Sequence, residues 1–447
     1  MAVALTFGGV VTPSASAADT SIITIESFPM SASLNASGFP AGDVDPIRSD
    51  RRPERRPVTA QELAEIARPG KAVVALPDQV GTRSVTASDF APVDDPITHD
   101  DCKNFYENAP SPAPPRWYKN RFNACFGQLL VARKMKLQNG ILITEAAIQF
   151  KAMFLISMNK DARSAKTTVD LFDWFDAAGN FPKSQRLSFG AGCWDPDPSG
   201  PECNPGTLTH DDTIANWQAN GRRDTTVTFS GASSPRPDDP ALNEQRSFYQ
   251  FNPYWYIETG IPFQQDFVTW PEFNLRCDIA RTVVNTGYVR GSDCVFHEAS
   301  GIFQLLLSDT TSSESVAFLK DAMDDITLTK PGTPGTFVPG KYGTAHPLSR
   351  LYYDSALRTA NRNKSIATCE QHWGATYTQR TDGQTNDCDE YPFATTHQGS
   401  YLASGTRSYA VRPLLNVHNS KVGNYLSQFT AGDHILEEDT YYVLIRD

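Results

Sequence analysis

Residues 148 to 158 read Ile148-Gln149-Phe150-Lys151-Ala152-Met153-Phe154-Leu155-Ile156-Ser157-Met158, with an apolar side chain at every even-numbered position. A period of two is that of a β-strand with one buried face. Other runs rich in aromatic or branched residues, with Gly, Pro and Asn between them, lie at 225–229, 248–257 and 302–307. Several strands separated by turn-rich loops predict an antiparallel β-sandwich. Residues 129–135 are compatible with either a strand or a short helix.

The cysteines indicate that this β-rich module is disulfide-bonded. Read in order, they form four neighbouring pairs with short gaps, and no pair has the C-x-x-C spacing of a zinc or redox site. We therefore expect local disulfide loops formed in an oxidising compartment. The eight residues are Cys102, Cys125, Cys193, Cys203, Cys277, Cys294, Cys369 and Cys388.

The beginning of the chain supports the same compartment. An apolar run from Ala2 to Val11 precedes Ala15-Ser16-Ala17, a small-residue pattern typical of signal-peptide cleavage. No Lys or Arg precedes the run, so this is either a weak signal peptide or the inner part of a longer one. No other stretch approaches the roughly 18 to 20 apolar residues of a membrane-spanning helix. The sequence predicts a secreted protein with no membrane span.

Shifts in composition divide the chain into five parts. We predict a signal peptide at 1–17, a flexible arm or propeptide at 18–100, a β-rich module at 101–310, a helix and Pro/Gly linker at 311–344, and a compact mixed α+β domain at 345–447. The arm contains an arginine cluster among prolines, which is either a solvated linker, a processing site or a nucleic-acid contact. The cluster consists of Arg48, Arg51, Arg52, Arg55 and Arg56.

Net charge excludes one class of function. Lys and Arg number 40 and Asp and Glu 51, a formal charge of −11, so the chain is not a globally basic nucleic-acid binder. From Lys341 to Asp447, however, ten basic residues face eleven acidic ones. The acidity therefore lies upstream, and the C-terminal domain is nearly neutral.

The C-terminal domain also has the densest set of residues able to do chemistry. Two acids follow a cysteine in Asp387-Cys388-Asp389-Glu390-Tyr391-Pro392-Phe393-Ala394, and further polar residues come downstream. Carboxylates, an imidazole and an amide are what a metal-assisted hydrolase requires. Acid pairs in loops are more often merely solvated, so spacing alone does not decide. The downstream residues are His397, Asn416, His418, Asn419, Glu437, Glu438 and Asp439.

The run from Cys388 to Gly399, C-D-E-Y-P-F-A-T-T-H-Q-G, closely resembles the signature of the NucA/NucB-type deoxyribonuclease domain, a family of secreted bacterial DNA endonucleases. The likeness continues through Ser408 to Pro413, through Asn419 with Gly423 four residues later, and through 435–443. Residues 346–351 and 360–362 are similar to the family's lead-in. The resemblance covers about residues 345 to 447, under a quarter of the chain.

The resemblance implies a small metal-dependent nuclease of ββα-metal type acting on DNA. It implies Asp389 as general base, Glu390 as its support or a metal ligand, and a divalent ion, Mg²⁺ or Mn²⁺, held at His418 and Asn419. His418 departs from the family, where an acid is usual, and imidazole is a poorer ligand for Mg²⁺. Either the metal preference has shifted or the activity is weakened or lost.

Further roles are weaker expectations. Arg412 and His397 are predicted to contact the substrate, although a structural histidine and a surface arginine are common alternatives; Arg380 is a similar candidate. A disulfide between Cys369 and Cys388 would brace the turn that carries Asp389.

Two readings from other classes stay open. The chain is compatible with a non-catalytic secreted binding protein that has a degenerate nuclease fold, or with a surface- or carbohydrate-binding β protein. Aromatic residues between Phe248 and Tyr256 would then stack on sugars or bases, although alternation within a strand favours a sandwich core with an exposed edge. The run from Asp195 to Gly200 resembles the start of a calcium loop, but a loop closed by Cys193 and Cys203 fits better. Any ligand of the β-rich module is unknown.

Overall fold

The computed structural model describes residues 21–32, 59–69, 96–109, 116–139, 141–159, 162–196, 202–229, 234–235, 245–262, 264–278 and 294–447. The predicted signal peptide, the arginine cluster of the arm and most of the run after Asp195 lie outside these residues. Within the described part of the chain, no helix is long and apolar enough to cross a membrane.

Strands dominate the structure up to about residue 306, as the period-two pattern predicts. The strands are β1 (Ser21–Pro29), β2 (Trp117–Asn120), β3 (Asn123–Gln138), β4 (Ile141–Met158), β5 (Ser164–Ala178), β6 (Arg186–Trp194), β7 (Glu202–Thr213), β8 (Arg222–Phe229), β9 (Ser234–Pro235), β10 (Gln245–Glu258), β11 (Gln265–Thr269), β12 (Phe273–Asp278), β13 (Cys294–Val295), β14 (Gly301–Leu306), β15 (Leu348–Ser349), β16 (Asn386–Tyr391), β17 (Ala410–Leu415) and β18 (Thr440–Arg446).

The helices are fewer and lie mainly at the two ends of the chain. They are α1 (Ala60–Ala67), α2 (His99–Asn108), α3 (Ile214–Ala219), α4 (Ser313–Asp324), α5 (Ser355–Trp373) and α6 (Asn416–Gly432). The segment 129–135, which the sequence left undecided, is part of strand β3.

The β-rich module is one antiparallel sheet of 13 strands, in the order β1-β3-β4-β5-β8-β7-β6-β10-β12-β13 with β2, β9 and β11 alongside. The predicted antiparallel β architecture is confirmed, but the sandwich of two separate sheets is not what is found. Strand β7 pairs with β8 through Cys203 and with β6 from Thr207 onward, so it joins the two halves. Alternation along a strand does not reveal that both of its edges are paired.

The sheet curls so that its two halves enclose one core. Rings from opposite halves meet there: the centroids of Phe126 and Trp270 are 4.9 Å apart, and those of Phe154 and Phe251 are 6.1 Å apart. Close edge-to-face packing of aromatic rings adds to the stabilisation from burial itself. The core is therefore sandwich-like in its packing although the sheet is continuous.

Strand β1 lies in the segment predicted as a flexible arm or propeptide. It pairs with β3 over nine residues, from Ser21 opposite Lys136 to Pro29 opposite Gln128. The Ile23 N–H also donates to the Thr259 carbonyl at 2.9 Å. This part of the predicted arm is thus an ordered strand of the sheet.

All four predicted disulfides are present. They join the neighbouring cysteines in order, and no cysteine of the described chain is free. The pairs are Cys102–Cys125, Cys193–Cys203, Cys277–Cys294 and Cys369–Cys388.

A second hydrophobic core lies in residues 301–447, called here the C-terminal unit. Strand β14 pairs in parallel with β18, and helix α4 contributes Val316, Phe318 and Leu319 to this core. The segment predicted as helix and linker is therefore packed into the same unit as the candidate chemistry. The predicted boundary at residue 345 stays a prediction, and these contacts favour placing it near residue 301.

Buried charges join the β-rich module to the C-terminal unit. Arg121, between β2 and β3, donates to the Asp439 carboxylate at 2.7 Å, and Arg276 of β12 donates to the same carboxylate at 2.7 Å. All three side chains are at most 1% exposed. Since unpaired buried charges are very costly, this network fixes residues 433–439 against the sheet.

Candidate active site

The candidate site is built on a strand–strand–helix run. Strand β16 pairs antiparallel with β17, with Asp389 opposite Arg412, and helix α6 follows β17 without a loop. The first turn of α6 places Asn419 against β16, where its Nδ2 donates to Asp387 Oδ2 at 3.1 Å. The predicted acid pair and the predicted His418-Asn419 pair are thus on adjoining elements.

Helix α5 covers one side of this run. It begins at an Asp354 side-chain cap and is fastened at its far end by the Cys369–Cys388 disulfide. Arg362 lies two turns before Cys369, on the same face of the helix. The predicted bridge therefore sets the distance between α5 and the acid pair.

Arg362 binds two of the three acids in the run. Its guanidinium donates to Asp387 Oδ1 at 2.5 Å and also to the Glu390 carboxylate and the Cys388 carbonyl. Burial raises the pKa of Glu390, while Arg362 acts to lower it. Two ion pairs to one half-buried guanidinium hold these carboxylates in fixed positions.

Asp389 differs from its neighbours. It is 5% exposed and lies against Ser315 of α4, and its Oδ1 accepts the Glu390 N–H at 2.9 Å. Its other oxygen, Oδ2, makes no hydrogen bond of good geometry in the described structure, and the neighbouring Ser315 hydroxyl acts to lower the pKa of Asp389. Burial, then the charge of Glu390, raise the pKa of Asp389 to about 7. An acid with that pKa, in a polar cluster, has the properties of a general base working near neutral pH.

His418 stands at the start of α6 and faces α4. Its Nδ1 accepts the backbone N–H of Glu314 at 3.3 Å. The Glu314 carboxylate in turn accepts the Leu415 N–H at 2.8 Å and a hydrogen bond from Arg380. The predicted metal ligand His418 is therefore held through one ring nitrogen by α4, a helix that the sequence analysis placed outside the C-terminal domain.

His397 lies in a different polar pair. Its Nε2 is 2.8 Å from Glu437 Oε1, and Glu437 Oε2 accepts the N–H groups of Tyr352 and Tyr353. Hydrogen bonding to Glu437 raises the pKa of His397, so the imidazole stays charged to a higher pH than usual. A partly exposed imidazolium is able to contact a phosphate, but this arrangement serves equally well to fix the loop.

Arg412 is held by α4. Its guanidinium donates to Asp321 at 2.9 Å and to the Leu328 carbonyl at 2.7 Å, and it lies over the Phe318 ring. Its predicted contact with substrate stays a prediction, and these contacts favour a structural role. Arg380 is similarly engaged, by Glu314, Asp382 and Asn386.

The residues fit a divalent ion only as a sparse site. Among the described residues, no group of three or more His, Cys, Asp or Glu side chains is arranged to hold a metal ion. The Asn419 side-chain N–H donates to Asp387, so its side-chain carbonyl oxygen is left as a candidate metal ligand of the kind that Mg²⁺ prefers. Mg²⁺ commonly keeps several waters and takes few protein ligands together with substrate phosphates. The site meets that requirement and not that of an all-protein metal cage.

Comparison with known families decides what this run resembles. Residues 342–444 match the family model described as Deoxyribonuclease NucA/NucB. The C-terminal segment is a NucA/NucB domain. The resemblance noted from the C-D-E-Y-P-F-A signature is thereby confirmed over this segment. No curated protein and no solved structure matches the chain.

Around the candidate base, the sequence analysis missed three partners. Arg362, Asp387 and Ser315 were given no role, although they surround the predicted base. The bridge of Cys369 to Cys388 was the signal for Arg362, since a residue two turns upstream on the same helix face must lie beside β16. Ser315 belongs to α4, outside the matched segment, and no local pattern predicts its contact.

Proposed function

We propose that the chain is a secreted metal-dependent endonuclease that hydrolyses DNA phosphodiester bonds, with Asp389 as general base. The match of residues 342–444 to a deoxyribonuclease family supports DNA as substrate. The observation that carries the role of Asp389 is its buried carboxylate, which forms no ion pair with any described Lys or Arg, together with a pKa raised to about 7. Four disulfides are typical of proteins outside the reducing cytosol and support secretion.

In the proposed reaction, Asp389 Oδ2 takes a proton from a water molecule as that water attacks phosphorus. The new P–O bond forms in line with the breaking P–O3′ bond, and the leaving oxygen takes a proton from solvent. Glu390 and Asp387 stay paired with Arg362. The charge of Glu390 favours proton uptake by Asp389, and Arg362 acts against it.

A divalent ion, Mg²⁺ or Mn²⁺, supplies neutralisation of the charge on the phosphate when it is bound. We propose Asn419 as its protein ligand. Because one neutral amide binds such an ion weakly, we expect most of the remaining ligands to be water and DNA phosphate oxygens. His397 is proposed as a cationic contact to a neighbouring phosphate.

One experiment tests the enzyme and the base separately. The full chain and an Asp389→Asn variant are incubated with supercoiled plasmid in Mg²⁺ or Mn²⁺, and an Asp176→Asn variant on β5 is the matched control. We expect cleavage by the wild type and the control, and a loss of 10²- to 10⁴-fold, in order of magnitude, in Asp389→Asn. No cleavage by the wild type in either ion would contradict the enzyme and favour the non-catalytic binding protein. Equal cleavage by Asp389→Asn would contradict the base.

A further inference from the structure

The hydrogen bond between helix α4 and His418 determines which ring nitrogen carries a proton. The first N–H groups of a helix have no partner within it, and the Ser312 side chain at the start of α4 makes no capping hydrogen bond. The Glu314 N–H instead donates to His418 Nδ1 at 3.3 Å. A nitrogen that accepts a hydrogen bond has no proton, so this geometry leaves Nε2 as the ring nitrogen that carries one.

This protonation state conflicts with metal binding. A metal ion needs a ring nitrogen with a free lone pair, and a histidine ligand normally donates its other N–H to an acceptor. If Nε2 of His418 bound a metal ion, Nδ1 would carry the proton and point it at the Glu314 N–H. Two donors would then face each other, and the α4 amide would lose its partner.

A second hydrogen bond of Glu314 makes a metal-binding orientation of the His418 ring costly. The Glu314 carboxylate accepts the Leu415 N–H at 2.8 Å, directly before the first residue of α6. Glu314 is thus bonded to the start of α6 through its side chain and to His418 through its backbone. If the ring turned to free Nδ1, the hydrogen bond from the Glu314 N–H would be lost, while the Leu415 N–H would still hold the Glu314 carboxylate in place.

We propose that His418 is a hydrogen-bond donor to a DNA phosphate oxygen, through Nε2–H, and is not a ligand of the metal ion. This proposal rests on the proposed function for the identity of the anion. His418 is partly exposed and precedes Asn419, the proposed metal ligand. His418 is therefore placed to bind a phosphate oxygen next to Asn419 and to favour one orientation of the DNA backbone.

The protonation state is tested without any activity. The full chain is labelled with ¹⁵N-histidine, and the ring signals of His418 are assigned as those missing from His418→Gln among the eight histidines. At a pH of about 8, above the ordinary histidine pKa, we expect the proton on Nε2. A proton on Nδ1 would overturn the proposal.

Direct metal binding separates the two roles. Mn²⁺ affinity is measured by electron paramagnetic resonance for the wild type, His418→Gln and Asn419→Ala. We expect His418→Gln to stay within about twofold of the wild type and Asn419→Ala to be weaker. A loss of about tenfold or more in His418→Gln, the size expected for a disturbed metal site, would overturn the proposal.

DNA affinity tests the donor. Anisotropy of a labelled duplex in EDTA is compared for the wild type, His418→Leu and His418→Gln, since glutamine both accepts the Glu314 N–H and donates. We expect binding to weaken about tenfold in His418→Leu and to recover largely in His418→Gln. Equal binding by His418→Leu would overturn the donor role. If these results hold and the wild type cuts no DNA, the proposed function fails and the assignment of His418 stands.

Discussion

Two aspartates of this chain are both buried, but their pKa values are shifted in opposite directions. Asp389, in the strand–strand–helix run, is 5% exposed, and Asp439, where the C-terminal unit meets the β-rich module, is fully buried. Burial acts to raise both pKa values. For Asp389 it prevails and the pKa rises to about 7, whereas Arg276 and Arg121 hold the pKa of Asp439 well below its ordinary value.

The difference lies in the partners and not in the depth of burial. Asp439 accepts hydrogen bonds from two guanidinium groups and from the Leu436 N–H, so both of its oxygens are satisfied. Arg362 acts to lower the pKa of Asp389, but its guanidinium donates its hydrogen bonds to Asp387 and Glu390. A buried acid that is fully paired serves structure, and one left unpaired in a polar cluster is available for proton transfer.

The largest expected effect separates activity from stability. Asp389→Asn removes a buried charge that lacks a cationic partner, so we expect it to lose nearly all DNA cleavage while becoming more stable at pH 8. Urea unfolding and plasmid cleavage on the same preparation check this. A variant that is both inactive and much less stable would indicate that Asp389 is structural.

The matching change at the other aspartate has the opposite signature. Asp439→Asn leaves two buried guanidinium groups with half of their charge compensation, so we expect a loss of about 3 to 5 kcal/mol in unfolding free energy. Denaturant unfolding in EDTA measures it. A loss under about 1 kcal/mol would contradict the structural role of Asp439, because the buried ion-pair network would then contribute little to stability.

The pH dependence of stability sharpens the comparison. The folded-state pKa of Asp389 is raised from its ordinary 3.8 to about 7, so between these values the folded chain holds a proton that the unfolded chain has lost. The contribution of Asp389 to stability therefore falls as pH rises through this window and is at its least favourable above about 7. The full penalty is up to roughly 4 kcal/mol.

Subtracting the Asp389→Asn curve from that of the wild type isolates this contribution. We expect the two unfolding free energies to converge below about pH 4 and to diverge in favour of the variant up to about pH 7. Parallel curves across that range would show that Asp389 has an ordinary pKa.

The smallest expected effect is that of removing the Cys369–Cys388 disulfide, which links α5 to strand β16. Replacing Cys369 and Cys388 with serine removes a link across 19 residues of sequence, and we expect a cost of about 3 kcal/mol with the Asp439 network intact. Cleavage per folded molecule should also fall, since α5 carries Arg362. Unchanged cleavage at a temperature where the variant is folded would show that the bridge does not position the acids.

The sequence revealed those features that depend on local patterns. Alternation from Ile148 to Met158 predicted a β-rich module, cysteine order predicted the four disulfides, and the signature from Cys388 to Gly399 predicted the nuclease family. Each of these signals lies within a short stretch whose physical meaning does not depend on distant residues.

Features that depend on long-range contacts were not predictable. Asp439 and Arg121 are 318 residues apart in the sequence, and no local pattern around either residue predicts that they pair. For the same reason α4 was predicted as a helix outside the C-terminal domain, although Glu314 and Ser315 contact the candidate site. The unpaired state of Asp389 is equally a property of the assembled site, because it depends on Arg362 binding the acids on either side.

The measurement that tests the account most directly is the ionisation of the Asp389 carboxyl in the metal-free protein, followed by ¹³C NMR across pH and assigned with Asp389→Asn. We expect a midpoint near pH 7, with Asp439 ionised throughout the accessible range. A midpoint near or below the ordinary 3.8 would contradict it, because Asp389 would then be a paired structural acid like Asp439.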